Sequence, residues 1–411
     1  MSLGERLAGL EAVGQRADGA YRLAWTDADR QSRAWFERQA AAAGLIVERD
    51  PAGNLWAHPD TPPPWWGVGS HLDSVRGGGL FDGPLGVACG FEIAQRSGLP
   101  IAVIAFADEE GARFNTPTFG SKALTGVLDV ATVLARTDDD GVTLAEAMRA
   151  DGVAPEALSS APEWLERLRG FVEVHIDQDT LLADAGAPLG IVRALAHRMR
   201  VELHFSGQAD HAGTTPPGRR RDALGTAARL MVAAEEIGAE IGELTVTSSR
   251  IVVAPNATTT VASDVRLWID ARSADPERPE RWLTALRAAA DELAARSRVG
   301  IEIKLASQSR GTEFSPAVRI RLHEAAGEVL DEGVPDSVCF AGHDAGVLAP
   351  MLPAAMVLVR NRTGVSHSPA EHIELEDAEL ATAVVERALR RLLEEPGADA
   401  AEPGADTVRP T

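Results

Sequence analysis

Five side chains of the types that bind metal ions recur along the chain, each inside a short glycine-rich or acidic motif. They are His71 in GSHLDS, Asp82 in GGLFDGPLGV, Glu110 in FADEEGARF, His175 in VEVHIDQ and His367 in GVSHSP. Three imidazoles and two carboxylates, with no thiolate, suit a pair of divalent ions such as zinc, manganese or cobalt. Two ions usually need one bridging carboxylate, for which Asp82 is the candidate. A dinuclear site of this kind activates water and polarises a carbonyl, which favours hydrolysis.

Two adjacent carboxylates, Glu109 and Glu110, directly follow a strongly apolar segment. They repel each other unless a cation or a shared proton relieves the repulsion. A division of labour resolves this conflict, with Glu110 binding metal and Glu109 acting as general base and acid. The alternative is an exposed acidic turn. Asp73 could hold the ring of His71 in the ligating tautomer, or it could be a surface loop residue.

Three further side chains are candidates for substrate binding. Gln178 could donate to a substrate carbonyl or carboxylate, or it could simply be solvated. Arg272 ends a predicted strand and suits a carboxylate, which arginine binds through two parallel hydrogen bonds, although a surface salt bridge is the simpler alternative. His211, in DHAGTT, reaches a substrate only if its segment folds over a site. We expect residues 342–344 and 360–362 to line the rim of the substrate pocket.

The metal motifs follow predicted strands. Residues 67–71 and 101–106 read as buried strands joined by a crossover helix over 84–97, and 171–175 is another strand, ending on His175. Open α/β sheets bind ligands at the carboxyl edge of their parallel strands. We therefore expect these motifs to meet at one edge of a sheet.

The pattern changes between residues 196 and 306, where strands and helices follow the order β-α-β-β-α-β of a small ferredoxin-like insert. Metal motifs lie on both sides of this insert, so it must leave and return to one catalytic domain. The expected fold is α/β, with a catalytic domain in two parts. We predict limits of 1–195 and 307–394 for this domain, 196–306 for the insert, and a disordered tail over 395–411.

Composition narrows the functional classes. The 411 residues fit two domains, and the net charge of −21 argues against nucleic acid or an anionic membrane as partner. No segment reads as a membrane span, and the first residues lack the apolar core of a signal peptide. Cys89 and Cys339 are too few for a disulfide framework and are expected to be buried thiols. These features favour a reducing cytoplasm.

Taken in order, the motifs resemble the hydantoinase/carbamoylase branch of the zinc-aminopeptidase-like amidases. That branch includes allantoate amidohydrolase, N-carbamoyl-L-amino-acid hydrolase and beta-ureidopropionase. The similarity is collinear from about Ala20 to Leu392, and it is carried by GSHLDSV, FDGPLGV, DEEGARF, HIDQ, DHAGTTP, GHDA and GVSHSPAE.

The resemblance implies a dinuclear aminopeptidase-like catalytic domain and a smaller lid domain through which two chains form a homodimer. It implies two divalent ions per chain and one acid/base residue, Glu109. The implied metal ligands are His71, Asp82, Glu110, His175 and His367. The implied substrate contacts are Gln178, His211 and Arg272, with the lid histidine serving the partner's site.

The chain departs from the family pattern at two places. Thr259 stands where a substrate-binding asparagine is expected, because Pro255-Asn256-Ala257 is followed by a threonine run instead of the usual Asn-Val-Ile-Pro-Gly segment. The family's HIEQG reads here as HIDQ followed by Asp179. The metal and acid/base positions are unchanged, so hydrolysis is still expected while the substrate stays open.

The expected reaction is cleavage of the ureido (carbamoyl) C–N bond of a small carboxylate, such as allantoate or an N-carbamoyl-L-amino acid, releasing ammonia and carbon dioxide. One alternative is a dipeptidase or N-acyl-amino-acid amidase. Another is a metal-dependent binding protein without turnover. The intact pair of Glu109 and Glu110 speaks against pure binding, since a binder has no need of a poised base.

Overall fold

The computed structural model describes residues 1–330 and 333–394. The tail predicted to be disordered, 395–411, lies outside the described residues. Within the described part of the chain, no helix combines the length and apolarity needed to cross a membrane.

Short and long strands alternate with helices along the described chain. The strands are β1 Gln15–Arg16, β2 Gly19–Ala20, β3 Ile46–Arg49, β4 Leu55–His58, β5 Trp65–His71, β6 Ile101–Phe106, β7 Leu168–Ile176, β8 Leu189–Leu195, β9 His197–Ser206, β10 Asp210–His211, β11 Thr245–Ala254, β12 Thr260–Val261, β13 Asp264–Ser273, β14 Gly300–Ser309, β15 Asp336–Cys339 and β16 Ala354–Val359. The helices are α1 Leu3–Ala8, α2 Asp27–Ala43, α3 Pro84–Ser97, α4 Phe119–Leu124, α5 Val130–Leu134, α6 Leu144–Ala150, α7 Leu181–Asp184, α8 Ala223–Ile241, α9 Glu277–Ser297, α10 Pro316–Leu330, α11 Asp344–Leu348 and α12 Leu375–Glu394. Two 3₁₀ segments cover Pro155–Arg167 and Pro217–Arg219.

These elements form two compact units. Of the described residues, the first unit contains 1–193, 313–330, 333–337 and 341–394. The second contains Ala194–Thr312 and Val338–Phe340. The domain limits predicted at residues 195 and 306 stay predictions.

The first unit is built on a mixed sheet with the strand order β15-β8-β16-β7-β5-β6-β4-β3. The four central strands, β16, β7, β5 and β6, run parallel, while β8, β4 and β3 are antiparallel to their neighbours. Every residue of β5, β6 and β16 is buried, as expected for parallel strands covered on both faces. The predicted α/β class and the crossover helix α3 are confirmed.

Helix α2 illustrates how local sequence sets an element of this unit. Thr26 caps its start by accepting from the backbone N–H of Asp29, and Gly44 ends it in the left-handed conformation. On its buried face, the rings of Trp35 and Phe36 pack edge-on against Phe91 of α3. The helix therefore has the limits that its caps predict.

The second unit has a four-stranded antiparallel sheet in the order β11-β13-β9-β14. Along the chain its main elements are β9, α8, β11, β13, α9 and β14, the predicted β-α-β-β-α-β order. One face of the sheet packs against α8 and α9, and Phe205, Leu230, Leu267 and Trp282 lie in that core. The predicted roles of this unit as a lid and in dimerisation stay predictions.

The apolar alternation over residues 261–271 is typical of one continuous strand, but the structure divides this segment. Val261 belongs to β12, which pairs with β10, while β13 begins at Asp264. Between them, Ala262 accepts from the N–H of Ala223, and Ser263 accepts from the N–H of Gly207. The alternation of apolar residues does not indicate this break, because backbone hydrogen bonds to distant segments determine where the strand is interrupted.

Candidate metal centre and active site

Parallel strands bring the predicted metal motifs to one edge of the first unit's sheet. His71 is the last residue of β5, Glu109 and Glu110 follow β6, and His175 is the next-to-last residue of β7. These strands are parallel neighbours, so their carboxyl ends lie side by side.

Asp82 stands between two sets of these side chains. Its Oδ1 lies 3.5 Å from Nε2 of His71 and 3.1 Å from Nε2 of His175. Its Oδ2 lies 3.5 Å from Nε2 of His367, which is also 3.6 Å from Oε1 of Glu110. The five predicted ligands therefore converge, and each oxygen of Asp82 faces a different set.

The orientation of two histidine rings fits metal binding. Nδ1 of His71 lies 3.1 Å from the carbonyl oxygen of Asp73, and Nδ1 of His175 lies 2.9 Å from that of Ile176. Each Nδ1–H donates to its carbonyl, which leaves the Nε2 lone pair facing the carboxylate of Asp82. Nε2 of His175 is buried without a hydrogen bond in the described structure. A lone pair facing a carboxylate oxygen is unfavourable unless a cation lies between them, so this donor set fits a divalent ion.

Asp73 contacts the site through both its backbone and its side chain. Its carboxylate is 3.6 Å from Nδ1 of His71, and its backbone carbonyl is the closer acceptor. The two carboxylate oxygens instead accept from the backbone N–H groups of Glu109 and Glu110, at 3.1 Å each. The carboxylate therefore holds the turn that carries the glutamate pair and also lies beside the imidazole, and its part in orienting that ring stays a prediction.

Glu109 is buried, with its Oε2 3.9 Å from Nε2 of His71. Burial raises the pKa of Glu109 well above its usual value; the His71 imidazole opposes this, while Asp344 and Glu110 add to it. Burial and the charge of Asp82 likewise raise the pKa of Glu110 to about 8. A divalent cation bound beside these groups would favour their ionised forms and reverse this trend.

The loop that carries Asp82 is held by buried groups of opposite charge. Glu371 accepts from the backbone N–H groups of Phe81 and Asp82, at 2.6 and 3.0 Å. The buried guanidinium of Arg22 donates to the carbonyls of Leu72 and Gly79. Asp82 is thereby positioned through its own backbone.

Glycine is required directly after Asp82. Gly83 has a φ of +86°, and a Cβ there would lie 2.5 Å from the ring of His71. The glycine-rich composition of this motif therefore serves the close approach of the backbone to a ligand.

Sequence reasoning missed a buried acidic and imidazole cluster behind His175. The ring of His343 lies 4.4 Å from that of His175, centroid to centroid. Glu173 accepts from the Ser70 hydroxyl at 2.7 Å and from the Ala345 N–H at 2.8 Å. The prediction that residues 342–344 line a pocket rim is wrong for His343 and for Asp344, which are 3% and 0% exposed. The GHDA motif was a usable signal for this cluster, and the final glutamate of SPAE was one for Glu371.

The other predicted rim segment, 360–362, is engaged in ion pairs with acidic residues near the start of α12. Arg360 bonds to Asp377 at 2.9 Å, and Arg362 lies 3.0 Å from Glu374. Gln178 is half-buried, and its amide donates to Ser366 at 3.1 Å and to Asp82 at 3.3 Å. The amide of Gln178 thus lies beside the metal ligands, and its part in substrate binding stays a prediction.

The remaining predicted substrate contacts lie in the second unit. His211 is exposed on β10, and its Nδ1 accepts from the N–H groups of Gly213 and Thr214, both at 3.1 Å. This fixes the tautomer in which Nε2 carries the proton. Thr259 adjoins this segment, because its carbonyl accepts from the N–H of Ala212. Arg272, in β13, bonds through Nε to Asp270 at 2.6 Å.

Comparison with known proteins places this arrangement in a family. The model of peptidase family M20/M25/M40 matches residues 57–391. The N-carbamoyl-L-amino acid amidohydrolase of Geobacillus stearothermophilus is 35% identical over 396 residues, covering 93% of this chain and 96% of that protein. The allantoate amidohydrolase of Escherichia coli strain K12 is 30% identical over 377 residues, covering 88% and 90%. The crystal structure of a hydantoinase/carbamoylase family amidase from Burkholderia multivorans matches with a TM-score of 0.83 and 31% identity, covering 96% and 98%. The chain is therefore a hydrolase that belongs to peptidase family M20/M25/M40, within the hydantoinase/carbamoylase group of amidases.

Proposed function

We propose that this chain hydrolyses the carbamoyl C–N bond of a small ureido carboxylate, such as allantoate or an N-carbamoyl-L-amino acid. One observation carries the proposal: Asp82 faces two sets of ligands through separate oxygens, and the buried Glu109 lies beside one of them. The names of the relatives above support the choice of a carbamoyl amide over a peptide.

Two divalent ions, zinc, manganese or cobalt, are proposed as the cofactors. His71, His175 and Asp82 would hold one ion, and Asp82, Glu110 and His367 would hold the other; both groups have ligand atoms within 4.8 Å of one another. When bound, such ions supply Lewis acidity, which lowers the pKa of water and polarises a carbonyl.

Glu109 is proposed as the proton carrier of the reaction. Its carboxylate takes the proton of the water that attacks the ureido carbonyl carbon, and it returns a proton to the nitrogen as the C–N bond breaks. This cleavage releases one nitrogen product and leaves a carbamic acid, which loses carbon dioxide and frees the second nitrogen, so that the products are an amine, ammonia and carbon dioxide. The position of Glu109 suits this role, because its buried carboxylate lies beside His71, one of the proposed metal ligands, where it can accept a proton from water and return it.

Groups of the second unit are proposed to bind the substrate. Arg272 would bind its carboxylate, and Gln178 of the first unit would donate to a polar group near the metal ligands. The protonated Nε2 of His211 would donate to the carbonyl oxygen as negative charge develops there. Thr259, which is exposed beside the His211 segment, replaces an amide side chain with a hydroxyl and is a candidate for tuning substrate choice.

We also propose a homodimer formed through the second unit, in which His211 serves the partner's site. Strand β11 lies at an edge of its sheet, and its residues Ile251 and Val252 are 42% and 46% exposed. Val232 of the adjacent helix α8 is 56% exposed. An open strand edge beside exposed apolar side chains is a surface that suits pairing with a second chain. The two free cysteines suit a reducing compartment such as the cytoplasm.

A turnover screen tests the proposed reaction. Protein stripped with a chelator is reloaded with zinc, manganese or cobalt and offered allantoate, several N-carbamoyl-L-amino acids, N-carbamoyl-β-alanine and a dipeptide. We expect at least one ureido acid to release ammonia with reloaded protein only. Cleavage of the dipeptide without turnover of any ureido acid would contradict the proposal and support a peptidase.

A further inference from the structure

The open face of the second unit's sheet carries a row of charged side chains. Along β9, alternate residues such as Met199 and Val201 point into the helix-covered core, so Arg198 and Arg200 share the opposite face. Residues of this face on β9 and β13 are Arg198, Arg200, Glu202, His204, Arg266, Trp268, Asp270 and Arg272.

The two ends of this face differ in charge balance. At one end of β9 and β13, basic side chains have carboxylate partners: Arg266 lies 3.8 Å from Glu202, and Nε2 of His204 lies 2.6 Å from the carboxylate of Asp264. At the other end, strand pairing sets Arg198 directly opposite Arg272, and Arg200 opposite Asp270. Three guanidiniums therefore share one carboxylate there.

That single carboxylate is already engaged. Asp270 accepts from Nη2 of Arg200 at 2.9 Å and from Nε of Arg272 at 2.6 Å. Arg272 also donates from Nη1 to the carbonyl of Phe340 at 2.5 Å, so two of its five N–H groups are engaged among the described contacts. Because Nε and Nη1 each already have an acceptor, Arg272 alone is restricted in how it can bind a carboxylate through two parallel hydrogen bonds.

Arg198 is the unpaired member of this row. Its side chain has neither a hydrogen bond nor an ion pair in the described structure, and its Nε is buried without a partner. Burial lowers the pKa of Arg198; Arg200 and Arg272 lower it further, and the charge of Asp270 opposes this. Arginine nevertheless stays charged at neutral pH, and like charges directly opposite each other across two strands destabilise a sheet. An anion that binds here would relieve this cost.

We propose that Arg198 and Arg272 together form the carboxylate-binding site for the substrate, with Arg198 supplying the bidentate fork and Arg272 a further donor. This inference deepens the proposed function and rests on it, because the ligand is taken to be the carboxylate of a ureido acid. It assigns Arg198 as a determinant of specificity for acids over their amides.

Kinetics of matched variants test the assignment. The best ureido acid of the turnover screen is compared with its carboxamide analogue, using metal-loaded wild type, Arg198→Gln, Arg198→Lys and the control Arg266→Gln. Losing hydrogen bonds to a charged ligand predicts a KM for the acid raised about 10- to 100-fold in Arg198→Gln. Arg198→Lys should lie between Arg198→Gln and wild type, because it keeps the charge and loses the fork. Turnover of the carboxamide by the Arg198 variants should stay at the wild-type value. In Arg266→Gln, the kinetic constants for both substrates should stay at wild-type values.

The same KM for the acid in Arg198→Gln and Arg266→Gln would overturn the assignment, as would equal losses on acid and carboxamide. A second measurement needs no variant: the arginine reagent phenylglyoxal is applied to metal-loaded wild type, and labelled peptides are quantified by mass spectrometry. We expect Arg198 to be labelled and to be protected by the free L-amino acid product, but not by its amide. Equal labelling with and without the acid would overturn the proposal.

These readouts separate the two claims. If wild-type protein cleaves no ureido acid, the proposed function is contradicted. The labelling experiment still tests the anion site in that case, because protection of Arg198 by a carboxylate does not depend on turnover. Wild-type protein that cleaves a ureido acid, together with an unaltered KM in Arg198→Gln, contradicts the Arg198 assignment alone.

Discussion

Around Asp82 carboxylates are buried and outnumber cations, whereas on the open sheet face of the second unit guanidiniums outnumber carboxylates. Near Asp82 lie Glu109, Glu110 and Glu371, with Arg22 as a buried counter-charge. On the sheet face, Asp270 is shared and Arg198 is left unpaired. A folded chain keeps uncompensated charge at a cost in stability. The comparison indicates what each region would accept as a ligand of opposite sign: cations in the first and, as we propose, a carboxylate in the second.

The largest effect on activity is expected in the acidic region, where Glu109 is the proposed base and Glu110 a proposed metal ligand. Glu109→Gln should lower kcat by about 10⁴ and leave bound metal unchanged, because the amide cannot carry the proton. Glu110→Gln should instead weaken metal binding, since an amide oxygen is a poorer ligand than a carboxylate. Steady-state kinetics measures kcat of both variants, and elemental analysis measures their bound metal. Metal-free Glu109→Gln protein would show that the two roles are wrongly assigned.

The next effect tests whether the second unit contributes to catalysis. His211→Ala should lose about 10²–10³ in rate, as is typical when a donor to a developing oxyanion is removed. Mixing inactive His211→Ala with inactive Glu109→Gln and allowing subunit exchange should restore activity, because one site of each mixed dimer is then intact. Mixed dimers seen by native mass spectrometry without any activity would mean that His211 acts within its own chain.

Arg272 provides a test of the cationic region. Arg272→Ala should lower kcat/KM for a ureido acid by about 2–4 kcal/mol, mainly through KM, because a desolvated charge pair is lost. An uncharged amide analogue should be little affected. Similar losses on both substrates would assign Arg272 a structural role.

The smallest effect concerns the shared carboxylate of the arginine row. Asp270→Asn should lower the free energy of unfolding by about 1–3 kcal/mol, because two guanidiniums lose a charged acceptor. The control Asp264→Asn, in the balanced end of the face, should change it by less than about 0.5 kcal/mol. Urea titration of both variants measures the difference. Indistinguishable stabilities would mean that the charge imbalance of the row has no energetic consequence.

The sequence predicted the parallel strands, the crossover helix α3 and the meeting of the metal motifs at one sheet edge, because these depend on local apolar runs and strand ends. The assignment of five side chains as metal ligands stays a prediction. The sequence did not predict α4, α5, α6 or the 3₁₀ segment Pro155–Arg167, which are short and lack a long apolar period. The hydrogen bonds that the Asp73 carboxylate accepts from the N–H groups of Glu109 and Glu110 could not be predicted, since tertiary approach sets them. Arg198 went unnoticed for the same reason: only the strand register sets it opposite Arg272.

Metal stoichiometry is the most direct test of the central claim that Asp82 joins two ligand sets. Wild type and Asp82→Asn are loaded with manganese or zinc, freed of excess metal and analysed for metal per chain. Because each oxygen of Asp82 faces a different set, we predict two ions per chain in wild type and weakened binding at both positions in Asp82→Asn. One ion per wild-type chain, or an Asp82→Asn protein that keeps two, would contradict a bridging carboxylate.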